Sequence, residues 1–188
     1  IVCFDEAIAI DRQFKEAWCK KGLALGAKGD YDAAIACFDE AIAIDRQLKT
    51  AWYFKGVALV DKGNYDAAIA CFDEAIAIDR QYKGAWYNKG QALTNKGDYD
   101  AAIVCFDEAI AIDRQFKEAW HNKGLALDSK GDYDAAIACF DEAIAIDRQF
   151  KAAWRNKGLA LGSKGDYDAA IACFDEAIAI DRQFKEAW

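Results

Sequence analysis

The sequence has no proline, no methionine, a single histidine and two serines among its 188 residues. Histidine and serine carry much of enzymatic acid–base and nucleophilic catalysis, and none of the patterns HExxH, GxSxG, GxxxxGK[ST] or GxGxxG occurs. We interpret the one histidine, His121, as a groove-lining or solvent-exposed residue and not as a general base. The sequence therefore predicts a protein that is not an enzyme, with no catalytic residue, metal ligand or cofactor.

An excess of positive charge and long apolar runs are also missing. The chain has 24 Lys plus Arg against 32 Asp plus Glu, a net charge of −8, whereas a nucleic-acid backbone requires clustered cations. Charged residues interrupt every apolar run before the ~18 residues of a membrane span. Hydrophobic residues make up 54% of the chain, too many for a disordered segment. We expect a folded, soluble protein with no nucleic-acid or membrane partner.

A repeat of 34 residues dominates the sequence, and its clearest marker is tryptophan. The repeated tryptophans are Trp18, Trp52, Trp86, Trp120, Trp154 and Trp188. A period of this length indicates small units stacked in one dimension without a central core. We predict a single array over 1–188: a partial repeat at 1–14, full repeats at 15–48, 49–82, 83–116, 117–150 and 151–184, and the start of another at 185–188.

The first and last residues both fall inside a repeat, so we expect the chain to be a fragment of a longer array. Natural arrays usually end in a polar capping helix, and neither end of this sequence has one. Exposed apolar ends that complement each other make head-to-tail contacts. We therefore expect weak head-to-tail self-association of the fragment at high concentration.

Each repeat has the pattern of two helices joined by a tight turn. The segment from Trp18 runs without a helix breaker to Gly29, which suits a left-handed turn, and Asp30 can cap the next helix. Apolar residues then recur at helical spacing, namely Tyr31, Ala34, Ile35, Phe38, Ala41 and Ile42. Gly22 and Ala34 are small where the two helices would cross. A single hairpin of this kind cannot bury both faces, so neighbouring hairpins must stack.

These residues resemble the tetratricopeptide repeat family over the whole chain. The resemblance rests on the period of 34 and on Trp18, Gly22, Leu25, Tyr31, Ala34, Phe38 and Ala41, with their equivalents in later copies. It implies an all-α fold, a right-handed α-solenoid of stacked antiparallel helix hairpins that forms a superhelix. It also implies a scaffold for protein–protein interaction that holds a peptide or protein segment in its concave groove.

The chain departs from the family pattern at two positions of each repeat. Arg46 and its equivalents stand where the family usually has proline, so we expect the joint between repeats to be less sharply broken. Lys21 and its equivalents stand where the family usually has an apolar residue. We expect their aliphatic stems to pack while the amines reach water or a carboxylate, because a buried unpaired amine would be too costly.

Differences between the copies mark a candidate binding surface. The second helix of the repeat is almost invariant, whereas the first helix changes along one face. Our candidate groove residues on this face are Tyr53, Phe54, Val57, Tyr87, Asn88, Gln91, His121, Asn122, Leu125, Arg155 and Asn156. The same face also varies at Gly26, Asp61 and Asp128. A variable face on a constant scaffold is typical of recognition, and the resemblance agrees; the alternative is a solvated face that is free to drift.

Three asparagines of this face, Asn88, Asn122 and Asn156, occupy the same repeat position. An amide offers a donor and an acceptor to an extended backbone, so the row is a candidate peptide-holding ladder. Two other functions remain open. One is a structural, self-assembling spacer array without a specific ligand. The other is RNA binding by a related hairpin repeat, which would favour a period of 35 and basic grooves that this chain lacks.

The cysteines bear on the compartment. Six of the seven cysteines occupy one repeat position, and stacked helical repeats place equivalent atoms roughly 8–10 Å apart, beyond the ~7 Å Cα limit for a disulfide. No CxxC pair occurs that would indicate a zinc or redox site. Reduced packing cysteines predict a cytoplasmic protein.

Overall fold

A computed structural model describes the backbone of residues 2–186 and the side chains of residues 2–182. Within these residues the chain forms eleven helices and no strand. The helices are α1 Val2–Ile10, α2 Lys15–Gly26, α3 Tyr31–Ile44, α4 Lys49–Asp61, α5 Tyr65–Ile78, α6 Lys83–Lys96, α7 Tyr99–Ile112, α8 Lys117–Ser129, α9 Tyr133–Ile146, α10 Lys151–Lys164 and α11 Tyr167–Glu186. The predicted all-α fold is confirmed. Trp188, in the predicted start of a further repeat, lies outside the described residues.

The turn inside each hairpin has the predicted geometry. Gly29 has φ +81°, a left-handed conformation that favours glycine. Immediately after it, the Asp30 carboxylate accepts a hydrogen bond of 3.2 Å from the Ala33 N–H and so caps α3. In the next hairpin the Asn64 side chain accepts from the Ala67 N–H in the same way. A glycine followed by a capping residue thus ends one helix and begins the next.

Close packing inside each hairpin depends on a glycine of the first helix. A Cβ atom added to Gly22 would lie 2.7 Å from Phe38 Cε1, and one added to Gly56 would lie 2.6 Å from Phe72 Cε1. Both phenylalanine rings are fully buried, together with Ala34 on the second helix. The prediction that small residues lie at the helix crossing is therefore confirmed.

The fold consists of two compact units, Ile1–Lys96 and Gly97–Trp188. In the first unit α2 packs against α3, α3 against α4, α4 against α5 and α5 against α6. In the second unit the same succession runs through α7, α8, α9, α10 and α11. Each unit is thus a stack of hairpins in which consecutive helices contact each other. That the whole of 1–188 forms one array, with the repeat boundaries given above, stays a prediction.

The joints after α3, α5, α7 and α9 are sharply broken, which contradicts the expectation of a softer joint at these four places. At the equivalent joint α11 continues as a helix to Glu186, as that expectation allows. Asp45 follows α3 in an extended conformation with φ −140° and ψ 99°. Its carboxylate accepts 2.9 Å from the Gln47 N–H and 2.6 Å from Lys15 Nζ. These two hydrogen bonds hold the pKa of the Asp45 carboxyl below its usual value, and the bond from Lys15 has the larger effect. Asp45 lies one residue before Arg46, the position where the family usually has proline, and its contacts with the Gln47 N–H and the Lys15 ammonium stabilise the extended conformation.

The lysines in the first helices are placed as predicted. Lys55 Nζ lies 2.6 Å from the Asp39 carboxylate and 5.7 Å from the Trp52 ring centroid. The side chain is only 21% exposed, so its stem packs while its amine is paired. The other members of this ladder are Lys21–Asp5, Lys89–Asp73, Lys123–Asp107 and Lys157–Asp141.

Candidate functional site

The variable face of the first helices, here called the first-helix face, is half-buried. Ten of the eleven candidate groove residues are partly covered by neighbouring side chains, and Arg155 is the exposed one. A face of freely drifting solvated residues would be mostly exposed. The face therefore has a packing role within the chain, in addition to any contact with a partner.

Tyr53 and Asn88 join the first helices of two successive repeats, α4 and α6. The Tyr53 ring centroid lies 5.0 Å from that of Phe54 and 5.0 Å from that of Tyr82. Burial raises the pKa of Tyr53, and it raises that of Tyr82 to about 12. Asn88 Nδ2 donates 2.9 Å to the Tyr53 hydroxyl and 2.9 Å to the Gly84 carbonyl. Both donors of this amide are thus used within the chain.

His121 and Asn156 form the equivalent link between α8 and α10. Asn156 Nδ2 donates a hydrogen bond of 2.8 Å to His121 Nε2, which accepts it when the ring proton is on Nδ1. The His121 ring packs 5.1 Å from the Phe150 ring and 5.7 Å from the Phe140 ring. Burial lowers the pKa of His121, against smaller opposing effects of Glu118 and the Ala152 backbone. The imidazole is therefore neutral at physiological pH.

An open apolar pocket lies between α2 and α4 on the first-helix face, with a volume of 280 Å³. Its lining residues are Gly22, Leu23, Gly26, Ala27, Tyr31, Phe38, Phe54, Val57, Ala58 and Asp61. Phe54 and Val57 were predicted site residues. The remaining lining residues were not selected. Gly22, Tyr31, Phe38 and Ala58 belong to the constant scaffold, whereas Leu23, Gly26, Ala27 and Asp61 lie on the variable face.

Two aspartates, Asp61 and Asp128, lie on the first-helix face. Asp61 lies at the rim of the pocket in the first unit. In the second unit Asp128 Oδ1 is buried and, among the described residues, has no hydrogen-bond partner. Burial raises the pKa of the Asp128 carboxyl. Both aspartates vary between repeats, but neither is among the candidate groove residues predicted from the sequence. The available signal was an acidic residue on a face that has none of the lysines found in every repeat.

The titratable groups of the described residues do not assemble a reaction centre. No three His, Cys, Asp or Glu side chains within residues 2–182 come together as a metal site. Burial raises the pKa of the Cys71 and Cys139 thiols to about 11, so they are inert packing groups. None of the helices described is both long and apolar enough to cross a membrane.

Stacked helix hairpins with a half-buried variable face define a helical repeat protein, and family comparison names the repeat. Models of the tetratricopeptide repeat match residues 19–83, 84–116 and 121–183. The chain belongs to the tetratricopeptide repeat family, whose members are generally protein-interaction scaffolds. A search among curated proteins finds no matching sequence.

Solved structures of the same fold agree with this assignment. A crystal structure of MamA is 28% identical, with 88% of this chain and 96% of that chain covered and a TM-score of 0.83. The crystal structure of YrrB, described as a TPR protein with an unusual peptide-binding site, is 24% identical. It covers 94% of this chain and 91% of its own, with a TM-score of 0.77. A MamA structure from Desulfovibrio magneticus RS-1 is 20% identical, with 90% and 96% covered and a TM-score of 0.83.

Proposed function

We propose that this protein binds an extended peptide or protein segment along the first-helix face. One observation carries the proposal: the second helices are nearly identical, while the first-helix face changes between copies and still holds an open apolar pocket. A constant scaffold that presents different side chains at regular intervals can read different residues of one ligand. The YrrB structure, described as having a peptide-binding site, supports the capacity of the fold for this function.

The candidate groove residues divide into two roles under this proposal. Phe54 and Val57 are ligand contacts because they line the pocket, and Arg155 is one because it is exposed. The other candidate groove residues can contact a ligand only through atoms that their contacts within the chain leave free. Asn88 is an example, since its two donor hydrogens are engaged and only Oδ1 can accept from a peptide N–H. The asparagine ladder is therefore proposed as a row of acceptors at this position.

The proposal involves no catalysis, metal, cofactor, nucleic acid or membrane. The net charge of −8 disfavours a phosphate backbone. We place the protein in the cytoplasm because Cys71 and Cys139 are buried free thiols, which suit a reducing compartment. Exposure of these thiols to alkylating reagent without denaturant should leave both unmodified.

The test is a peptide array probed with the full chain, followed by affinity measurement on the peptides retained. Arg155→Ala and Phe54→Ala change the first-helix face, and Glu40→Ala, exposed on α3, is the matched control. We expect at least one face variant to weaken binding about tenfold, a change of about 1.4 kcal/mol, and the control to bind unchanged. An array that retains nothing, or peptides insensitive to every face variant, would contradict the proposal.

A structural spacer is the second candidate function, and the internal bonds of the face favour it. Tyr53–Asn88 and His121–Asn156 both connect successive first helices. If packing alone explains the half-burial of the face, variants of these residues lower stability and no peptide binds. The array experiment thus decides between the two functions.

A further inference from the structure

We propose that the pocket between α2 and α4 receives one apolar side chain of a bound peptide, and that the adjacent peptide residue is Lys or Arg, held by Asp61. This inference rests on the proposed function and deepens it, because it names the chemistry of the ligand at one position. It concerns only the first unit.

The pocket exists because the first helix α2 ends in small residues. A Cβ atom added to Gly26 would meet only Ala34 Cβ, at 3.9 Å, which is ordinary van der Waals contact. The equivalent position of the next repeat is Val60, a side chain that would fill this space. Gly26 is the last residue of α2, and its missing side chain leaves the volume open.

The walls and floor of the pocket are apolar. Phe38 and Ala58 form a buried floor, and Phe54 lies beside Phe38 with its ring centroid 6.2 Å away. Leu23 forms a wall and is 41% exposed. The volume of the pocket is 280 Å³, and it opens to solvent. Because poorly held water at apolar walls is displaced favourably by an apolar group, a leucine, methionine or phenylalanine side chain is the fitting occupant.

Charge at the rim selects the neighbouring residue of the ligand. Asp61 is exposed and makes no ion pair within residues 2–182, in contrast with Asp32 and Asp39, which pair with Lys62 and Lys55. Lys28 is the equivalent, one repeat earlier, of Lys62, which pairs with Asp32. A carboxylate without an internal cation, in a chain of net charge −8, is complementary to a basic ligand residue.

The second unit independently has an acidic group near the same end of a first helix. Asp128 is at the α8 position equivalent to Gly26, and its buried Oδ1 has no hydrogen-bond partner in the described part of the chain. Because this oxygen is buried, a ligand cannot reach it directly, and the proposal is confined to Asp61 in the first unit.

The experiment is an NMR titration of the isotopically labelled full chain with short synthetic peptides. The peptides are acetylated and amidated Gly-Ser-Gly-Leu-Lys-Gly-Ser-Gly, a version with Leu replaced by Ser, and a version with Lys replaced by Glu. We expect the first peptide to shift the Leu23 and Val57 methyl signals saturably, and each replacement to weaken binding about tenfold or more. Shifts of equal size with all three peptides would overturn the proposal.

Variants then locate the effect. Gly26→Val fills the pocket as Val60 does and should abolish the methyl shifts, whereas Gly162→Val at the equivalent position of α10, where an added Cβ has no neighbour within 4 Å, should leave them unchanged. Asp61→Asn should weaken the Lys peptide to the level of a peptide with alanine in place of Lys, and affect that alanine peptide little. Unchanged binding by Gly26→Val or Asp61→Asn would overturn the inference.

Failure of the inference can be told apart from failure of the proposed function. If array peptides bind and respond to Arg155→Ala but not to Gly26→Val, the face binds peptides and this pocket assignment is wrong. If no array peptide binds, the proposed function itself fails.

Discussion

The junction between α4 and α6 in the first unit and that between α8 and α10 in the second use the same geometry with different chemistry. Tyr53 lies 5.0 Å from the Tyr82 ring and bonds to Asn88. His121 lies 5.1 Å from the Phe150 ring and bonds to Asn156.

A lysine–aspartate pair at 2.5 Å accompanies each junction, Lys49–Asp79 in the first unit and Lys117–Asp147 in the second. The scaffold therefore fixes where the aromatic ring and the amide meet, and the residue type decides which hydrogen bonds form there. Only the histidine junction contains a group whose charge changes near neutral pH.

The largest expected effect tests whether the two junctions share one scaffold. Phe72→Ala and Phe140→Ala each remove a fully buried ring that packs under Tyr53 or His121. We expect each variant to lose about 3–5 kcal/mol of unfolding free energy, with similar losses in the two units. Urea unfolding followed by circular dichroism measures this. A loss below about 1 kcal/mol at either position would contradict the equivalence of the two cores.

The next effect separates the two amides. Asn88→Ala removes two donated hydrogen bonds, so we expect a loss of roughly 1–3 kcal/mol at about 0.5–1.5 kcal/mol per bond. Asn156→Ala removes the bond to His121, and we expect about half that loss. The same urea experiment measures both, with the exposed Asn95→Ala as a control. A larger loss at Asn156 than at Asn88 would refute the assignment of bonds.

A smaller effect concerns pH. Burial lowers the His121 pKa below 6.5, so the unfolded chain binds the proton more tightly and the folded state favours neutral imidazole. Stability is thus full above about pH 6.5 and falls as the pH decreases toward the folded-state pKa. The expected loss is a fraction of the about 1.4 kcal/mol that one pKa unit represents, because solvent screening reduces it.

His121→Tyr supplies the matched control for the pH effect, since it recreates the Tyr53 junction. A Cβ at Gly84 would lie 3.5 Å from Tyr53 Cε2, an ordinary contact, so Ala152 should tolerate the tyrosine. We expect the urea midpoint of the parent to fall more than that of the variant between pH 7.5 and pH 5.5, on either side of about 6.5. Parallel curves would mean that His121 does not couple to folding.

The smallest effect is expected at the exposed ion pairs. Lys62 pairs with Asp32 in the first unit and Lys130 with Asp100 in the second, and the two aspartates are about four-fifths exposed, at 82% and 81%. Because exposed pairs contribute about 0–1 kcal/mol, we expect Lys62→Gln and Lys130→Gln to change stability by less than about 1 kcal/mol each. A loss of unfolding free energy above about 1 kcal/mol, or clearly different losses for the two variants, would contradict this prediction.

Much of the fold could be predicted from sequence because its signals are local and repeated. The capping by Asp30, the left-handed Gly29 and the glycine opposite Phe38 each depend on neighbours within a single hairpin. The candidate site could be predicted only as a face. The Asn88 amide donates to Tyr53, a residue 35 positions away, and not to a ligand. This contact cannot be predicted from the spacing or the residue type of Asn88.

The end of the second helix also separates what the local sequence predicts from what tertiary contacts decide. Residues 132–151 and 166–185 are identical, and the period, the helix and its N-terminal cap by Asp132 or Asp166 follow from that sequence in both places. Yet α9 ends at Ile146 and Asp147 is extended, whereas α11 continues to Glu186. With no proline or glycine to break it, the segment can extend the helix or leave it. In α9 the packing of α10 against it, with Ala153 fully buried, selects the break. Local sequence therefore determined what each repeat can form, and contact with the following helix decided where its second helix stops.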